Sequence, residues 1–194
     1  MTDRIPKAQQ AGRARATILT AAQKRFAATG YERTTIRAVA ADASIDASMV
    51  MRYYGSKEGL FAAATEIDLA MPDLSGVPRD RLGVAVAHHF LCRWEENDSG
   101  TPLRVLLSSA LAGSAAAEKM TAIFRSQLTP IIAAADVGDA AEAAERAAMV
   151  ATQILGFALC RYVLRLPPIV DLDHQAAVRW LAPTIQSYLT GPAG

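Results

Sequence analysis

Two short apolar stripes separated by three residues constrain this chain more than any other feature. Over residues 35–42, Ile36, Val39, Ala40 and Ala43 fall on one side of a helix, and Thr35 is placed to cap its first turn. The break Ala43-Ser44-Ile45 follows, and a helical pattern resumes over residues 46–54 behind Asp46, a second N-cap. Ile45 and Val50 have the spacing of a hydrophobic staple, which sets the angle at which the chain enters that helix. Upstream, Ile18, Ala22 and Phe26 recur at steps of four with Leu19 beside them. They predict an amphipathic helix over residues 13–29, ended by Gly30. Two short helices joined by a tight break inside a basic segment are the sequence form of a helix-turn-helix.

Helical periodicity continues to the C-terminus. Gly55 and Ser56 stop the third helix and start a fourth over residues 57–70, built on Leu60, Phe61, Ala64 and Ile67. Residues 71–78, MPDLSGVP, read as a turn-rich connector. Beyond it, Leu82, Val86, Phe90 and Trp94 mark a helix over 79–97. Further helices are expected over 102–112, over 115–135 with a kink at Pro130, over 139–166, and over 171–189 with a kink at Pro183. Alanine supplies 40 of the 194 residues and aromatics only 6%. Alanine is the best helix former and is depleted in strands, so the expected fold class is all-α.

A formal charge of +1 conceals an uneven distribution. Residues 1–57 hold 10 of the 20 Lys and Arg but only 4 of the 19 acids, a surplus of six positive charges. The remainder carries a surplus of five negative ones. A basic head on an acidic body points to a polyanionic partner for the head. Residues 1–11 read as a flexible arm whose Arg4 and Lys7, with Arg13 and Arg15 beyond, could add backbone or minor-groove contacts. Cys92 and Cys160 lack CxxC spacing, so neither a zinc site nor a disulfide framework is expected. Cys92 and His88 stand at i, i+4, but no further Cys or His clusters with them in the sequence, and no metal or other cofactor is expected. The N-terminus has no apolar leader, and the longest uncharged run, residues 147–160, is shorter than the roughly 18 residues a membrane span needs. A cytoplasmic protein without a membrane partner is expected. GxSxG, Walker, GxGxxG and HExxH patterns are missing from the sequence, which leaves an enzymatic reading without support.

The third helix can be read by angle. At about 100° per residue from Val50, the residues Tyr54, Ala47 and Met51 gather on one side, taken as the inward face. Ser48, Arg52 and Met49 fall opposite, with Tyr53 at the border. Arg pairs with guanine O6 and N7, Ser with either kind of base edge, and Met offers an apolar contact to a thymine methyl. The alternative is an ordinary three-helix packing unit with a solvated Arg52.

The run TTIRAVAADASIDASMVMRYYGSKEGLFAAA, residues 34–64, resembles the N-terminal domain of TetR-family transcriptional regulators, and the helix ILTAAQKRFAATGYERTT before it fits as well. The resemblance covers roughly residues 13–70. It implies a homodimeric all-α regulator with an N-terminal three-helix DNA-binding domain over 1–57, continuing into a linking helix over 57–70. A helical effector-binding and dimerisation domain would occupy 58–194. It further implies that residues 46–54 form a recognition helix for a palindromic double-stranded DNA operator. Thr34, Thr35 and Arg37 would then meet phosphates, as would Lys57 at the N-terminus of the fourth helix, and Tyr53 would donate to the backbone. Three departures stand out. Ser44 replaces the usual turn glycine, Met51 a common tyrosine, and Asp46-Ala47-Ser48 a Ser-x-Gly stretch.

The same architecture would pair the helices over 139–166 and 171–189 across a two-fold axis, and Met149, Val150, Ile154, Leu155, Phe157 and Leu159 make the first apolar on more than one face. An apolar or amphipathic effector would lie among His89, Phe90, Arg93, Trp94, Met120, Phe124, Phe157 and Arg161. Arg93 and Arg161 would meet an acidic ligand or, alternatively, form internal ion pairs. A repressor released by its effector is the principal reading. An activator, or a helical interaction protein that has lost operator binding, is the alternative.

Overall fold

The computed structural model describes residues 7–95, 97–111, 114–135 and 138–192. Among them helices dominate and no strand occurs, as the alanine-rich composition requires. The head comprises α1 (Lys7–Arg33), α2 (Ile36–Asp42), α3 (Ala47–Tyr54) and α4 (Lys57–Ala64). The body comprises α5 (Leu82–Glu95), α6 (Asn97–Ala110), α7 (Ser114–Ile123), α8 (Thr129–Ala134), α9 (Ala140–Ala158) and α10 (His174–Thr190).

Local chemistry sets most of the boundaries. Thr35 Oγ1 accepts from the Ala38 N–H at 3.1 Å, Asp46 Oδ1 from Ser48 at 2.7 Å, and Ser56 Oγ from Gly59 at 3.0 Å, so α2, α3 and α4 all begin on side-chain caps. Asp139 and Asp173 do the same for α9 and α10. Gly30 leaves helical geometry at φ 76°, ψ 170°, and one more turn carries α1 to Arg33.

The structure corrects several expected boundaries. The expected arm is already helical from Lys7, while Arg4 lies outside the described residues. The fourth helix ends at Ala64 rather than reaching residue 70, and the chain from 65 to 78 crosses to α5 as an irregular strap. The kink foreseen at Pro130 is a wide π turn over Phe124–Leu128, where the Thr129 N–H bonds to the Phe124 carbonyl just ahead of the proline. Another wide turn, Leu159–Val163, ends the α9 helix short of residue 166, and α10 runs through Pro183 unbroken.

Two apolar cores result. Ile18, Ala22 and Phe26 of α1 meet Val39, Val50, Leu60 and Phe61, but Val105 and Leu106 of α6 and Ile123 of α7 complete that head core. The Phe26 and Phe61 rings cross edge to face at 5.1 Å. In the body, Leu82, Val86, Leu91 and Trp94 of α5 pack with Ile132, Val150, Leu181, Ile185 and Leu189. The α5 and α10 helices touch backbone to backbone. A methyl group at Gly83 would collide with the Ala182 carbonyl oxygen, and the Gly83 N–H donates to Gln186 Oε1 at 2.7 Å. With its π turn, the α9 stretch Ala140–Val163 has the length and apolar composition to cross a bilayer; one face of it packs into this core, and 28% of its most apolar stretch is buried. Arg146 staples α9 to α10, donating to Glu142 Oε1 and to the carbonyls of Tyr188 and Gly191.

Candidate nucleic-acid interface and ligand cavity

The α2–α3 corner is a Schellman turn. The Ile45 N–H reaches back to the Ala40 carbonyl at 2.9 Å and the Ser44 N–H to Ala41 at 3.1 Å, with Ser44 in the left-handed region at φ 52°. Val50 is fully buried beneath the corner. With Val50 inward, Ser48 and Arg52 are exposed and Met49 is half-buried. Met51, assigned to the inward face by angle, is instead 45% exposed, because the short α3 rests on the head core only along its Val50 side. Asp46 remains close to this surface. Hydrogen bonds from the Ser48 hydroxyl and backbone N–H hold its carboxyl below the usual range, so the cap is an anion at neutral pH.

The Tyr53 ring lies beside two guanidinium groups, Arg15 of α1 at 5.2 Å and Arg52 at 5.5 Å from its centroid. Tyr54 Oη donates to the Arg15 carbonyl at 3.0 Å, tying α3 to α1. Thr35 and Arg37 are exposed at the start of α2, as expected. Thr34 is not. It is 1% exposed, and its hydroxyl donates to the Gly30 carbonyl at 2.7 Å and pairs with Thr29, so it splices α1 to α2 and is withdrawn from any phosphate. Lys57 is half-buried and already engaged, donating to the Glu32 carbonyl at 3.1 Å with its ammonium 4.3 Å from the centroid of the Tyr31 ring.

A cavity opens in the body between α5, α7, the π turn, α9 and the strap. Its enclosed volume is about 60 Å³, small beside the roughly 300–1,000 Å³ of most small-molecule sites, so a ligand of that size enters only if the walls move apart. His89, Phe90, Arg93, Trp94, Met120 and Phe124 line it, as the sequence suggested. Phe157 and Arg161 do not. Phe157 packs behind Phe90, with centroids 6.4 Å apart, while Arg161 donates to the Ile169 and Leu172 carbonyls and pairs with Glu95 at 3.2 Å. For Arg161 the internal ion pair is the correct alternative.

The strap's part in this wall was not foreseen: Leu69 and Met71 line the cavity directly. Cavity side chains hold the strap in place. His89 Nε2 bonds to the Leu69 carbonyl at 2.8 Å, and Arg93 Nη2 donates to that of Asp68 at 2.7 Å. From the π turn, Gln127 accepts from the Leu69 N–H at 2.7 Å and donates to the Ile67 carbonyl at 3.0 Å. Lys119 caps the end of α4, donating to the Ala62 carbonyl and Thr65 hydroxyl at 2.8 and 2.9 Å. The remaining lining side chains are apolar.

Comparison with known proteins agrees with both halves. Residues 18–64 match the family model described as bacterial regulatory proteins, tetR family, and residues 80–189 match the tetracyclin repressor-like C-terminal domain. A search of curated proteins found no match. Among solved structures, a TetR-family regulator from Streptomyces coelicolor A3 is 28% identical, with 96% of this chain and 98% of that one covered and a TM-score of 0.57. A TetR-like transcriptional regulator from Rhodococcus sp. RHA1, 20% identical over 97% of this chain and 100% of that one, shares the fold at a TM-score of 0.69. With head and body both matched, and with a helix-turn-helix DNA-binding domain in place, the chain belongs to the TetR family of transcriptional regulators.

Proposed function

We propose that this protein is a repressor that binds a palindromic operator as a homodimer and is released by an apolar or amphipathic small molecule. The observation that carries the reading is continuity. The outward face of α3 leads through Gly55 into α4, and the strap after α4 is itself a wall of the cavity. Ser48 and Arg52 read base edges in the major groove. Arg37 and the Thr35 hydroxyl contact the backbone, and the Tyr53 ring, beside the Arg52 guanidinium, restrains that side chain. A ligand that presses on Leu69 and Met71 loads the bonds from His89, Arg93 and Gln127, and so shifts the end of α4 held by Lys119. Induction requires the ligand to bind better to the arrangement whose recognition helices are mis-spaced for successive major grooves about 34–36 Å apart.

Selection of bound genomic fragments, followed by gel shifts at several salt concentrations, tests this. Affinity for the selected site falls linearly with salt on a logarithmic scale, through counterion release. Arg52→Ala costs about 1–3 kcal/mol and relaxes preference at one base position of each half-site. Salt-independent binding, or unchanged preference in Arg52→Ala, overturns the assignment.

A further inference from the structure

His88, Cys92 and His174 form a cluster outside the cavity. One ring nitrogen of each histidine and the Cys92 sulfur all lie within 4.8 Å of one another. His88 and Cys92 share a face of α5 by their four-residue spacing, and Cys92 Sγ sits 3.7 Å from His88 Nδ1. His174 arrives from the first turn of α10, its ring edge-on to that of His88 with centroids 5.0 Å apart. The α5–α10 crossing at Gly83 and Ala182 fixes how these two helices meet.

His174 is the informative member. Its Nδ1 lies 2.9 Å from Glu95 Oε2, a carboxylate acceptor, so Nδ1 carries a proton and, in the neutral ring, Nε2 is the nitrogen left with a lone pair. That Nε2 is shut off from solvent and has no hydrogen-bond partner. Glu95 is itself held in place by Arg161 Nη2 and Tyr162 Oη, both at 3.2 Å. A carboxylate that binds one nitrogen of a clustered histidine and leaves the other buried and without a partner is the outer shell typical of metal-ligating histidines. Around a tetrahedral ion with N and S bonds of about 2.0–2.3 Å, donor atoms stand about 3.3–3.6 Å apart. The Cys92–His88 pair already nearly meets that spacing, and side-chain rotation of the exposed His88 closes the rest.

We infer that His88, Cys92 and His174 bind a borderline-soft divalent cation of the zinc type, with Glu95 as the positioning residue and solvent in the fourth place. Two nitrogens and a thiolate suit zinc or cobalt and disfavour magnesium or calcium. The ion bridges α5 to the start of α10. His89 and Arg93, each one residue beyond a ligand, line the cavity, so occupancy stiffens the helix that holds the strap.

The test is titration of metal-free, reduced full-length protein with Zn²⁺ against a chromophoric chelator, and with Co²⁺ by absorbance. One equivalent per protomer is expected, and the Co²⁺ form shows thiolate-to-metal charge transfer. Cys92→Ser abolishes that band and Cys160→Ser leaves it unchanged. His174→Gln weakens binding at least about tenfold, and Glu95→Gln weakens it about 10–100-fold with stoichiometry kept. In the wild-type protein, where folding of a variant is not at issue, saturating Zn²⁺ slows alkylation of Cys92 by about tenfold or more, since a metal-bound thiolate is a poor nucleophile. No saturable equivalent, Cys92 alkylation unaffected by Zn²⁺, or a charge-transfer band that survives Cys92→Ser overturns the site.

Discussion

Ser44 occupies the one corner that sets the pitch of α3, and it does so in a conformation that favours glycine. Its φ of 52° closes the Schellman turn with both back-bonds made, so the geometry is retained at the expense of local strain of about 1 kcal/mol. Ser44→Gly is therefore expected to stabilise the protein by at most about 0.5 kcal/mol, the larger unfolded-state freedom of glycine offsetting half or more of the relief. For a chain of this length that is a rise of at most about 2 °C in Tm, read by thermal unfolding. Two carboxylates flank the same corner. Asp42 accepts from Arg25 Nε and Nη2 at 2.7 and 2.5 Å, and that hydrogen bonding holds its carboxyl below the usual range. Asp46 is lowered likewise by its cap bonds. A folded-state pKa below the unfolded one contributes stability above about pH 4, lost as pH falls through the folded value. Thermal melts across the acid range should show this fall, and Asp42→Asn should flatten it. An acid limb unchanged in that variant would rule out the Arg25–Asp42 clamp as a contributor.

At the scale of elements, the strap is where function concentrates. Gln127 holds its backbone from the π turn at two points, so Gln127→Ala leaves the Leu69 N–H and the Ile67 carbonyl without their partner. Losing those bonds costs about 1–3 kcal/mol locally, or roughly ten- to a hundredfold faster exchange of the Leu69 amide. Native-state hydrogen exchange measures this, and an unaccelerated Leu69 amide would show that the strap is held by other means. This strap was the least legible element in the sequence. Leu60, Phe61, Ala64 and Ile67 keep helical spacing, and nothing within three or four residues opposes a helix through residue 70. The bonds that pull the chain straight come from His89, Arg93 and Gln127, all 20 or more residues away in the chain. The helix-turn-helix was legible for the opposite reason. Its caps at Thr35 and Asp46, its staple and its breaks at Ser44 and Gly55 are all local. Thr34 misled because being next to an exposed cap says nothing about burial. Of the eight expected cavity residues, His89, Phe90, Arg93 and Trp94 could be placed because α5 is long and regular enough to count along, and Met120 and Phe124 because they lie at or before the start of the first wide turn. Arg161 sits inside a wide turn, where counting by 3.6 fails, and Phe157 falls behind Phe90 rather than beside the cavity, a contact between helices that spacing along α9 alone does not reveal. His174 joins His88 and Cys92 only because α10 folds back along α5.

For the whole molecule, the charge split acquires a geometry. The six surplus positive charges of residues 1–57 sit on the head, and the acidic surplus belongs to the body that follows it. One head offers a single recognition helix, which is too little for an operator read at two successive major grooves, so the regulator reading requires a second copy. The surface that would supply it lies on α9 and α10. The two are stapled together by Arg146, yet Met149 is 45% and Trp180 73% exposed. An exposed tryptophan on a paired-helix face has the character of an interface anchor, and truncating such anchors costs 2 kcal/mol or more of association, to order of magnitude. Because Trp180 contributes nothing to the body core, Trp180→Glu leaves the fold and its melting transition intact while placing like charges across the two-fold axis. Wild-type protein at micromolar concentration is then expected to sediment at twice the 20.6 kDa chain mass, and the variant as a single chain. The monomer retains the phosphate contacts of one head. Its salt dependence on DNA should fall to about half the wild-type slope, while discrimination between operator and random duplex collapses. Sedimentation and gel shift on the same preparation decide it. A Trp180→Glu protein that remains dimeric places the two-fold contact elsewhere, and one that is monomeric yet keeps full operator affinity removes the need for a second recognition helix.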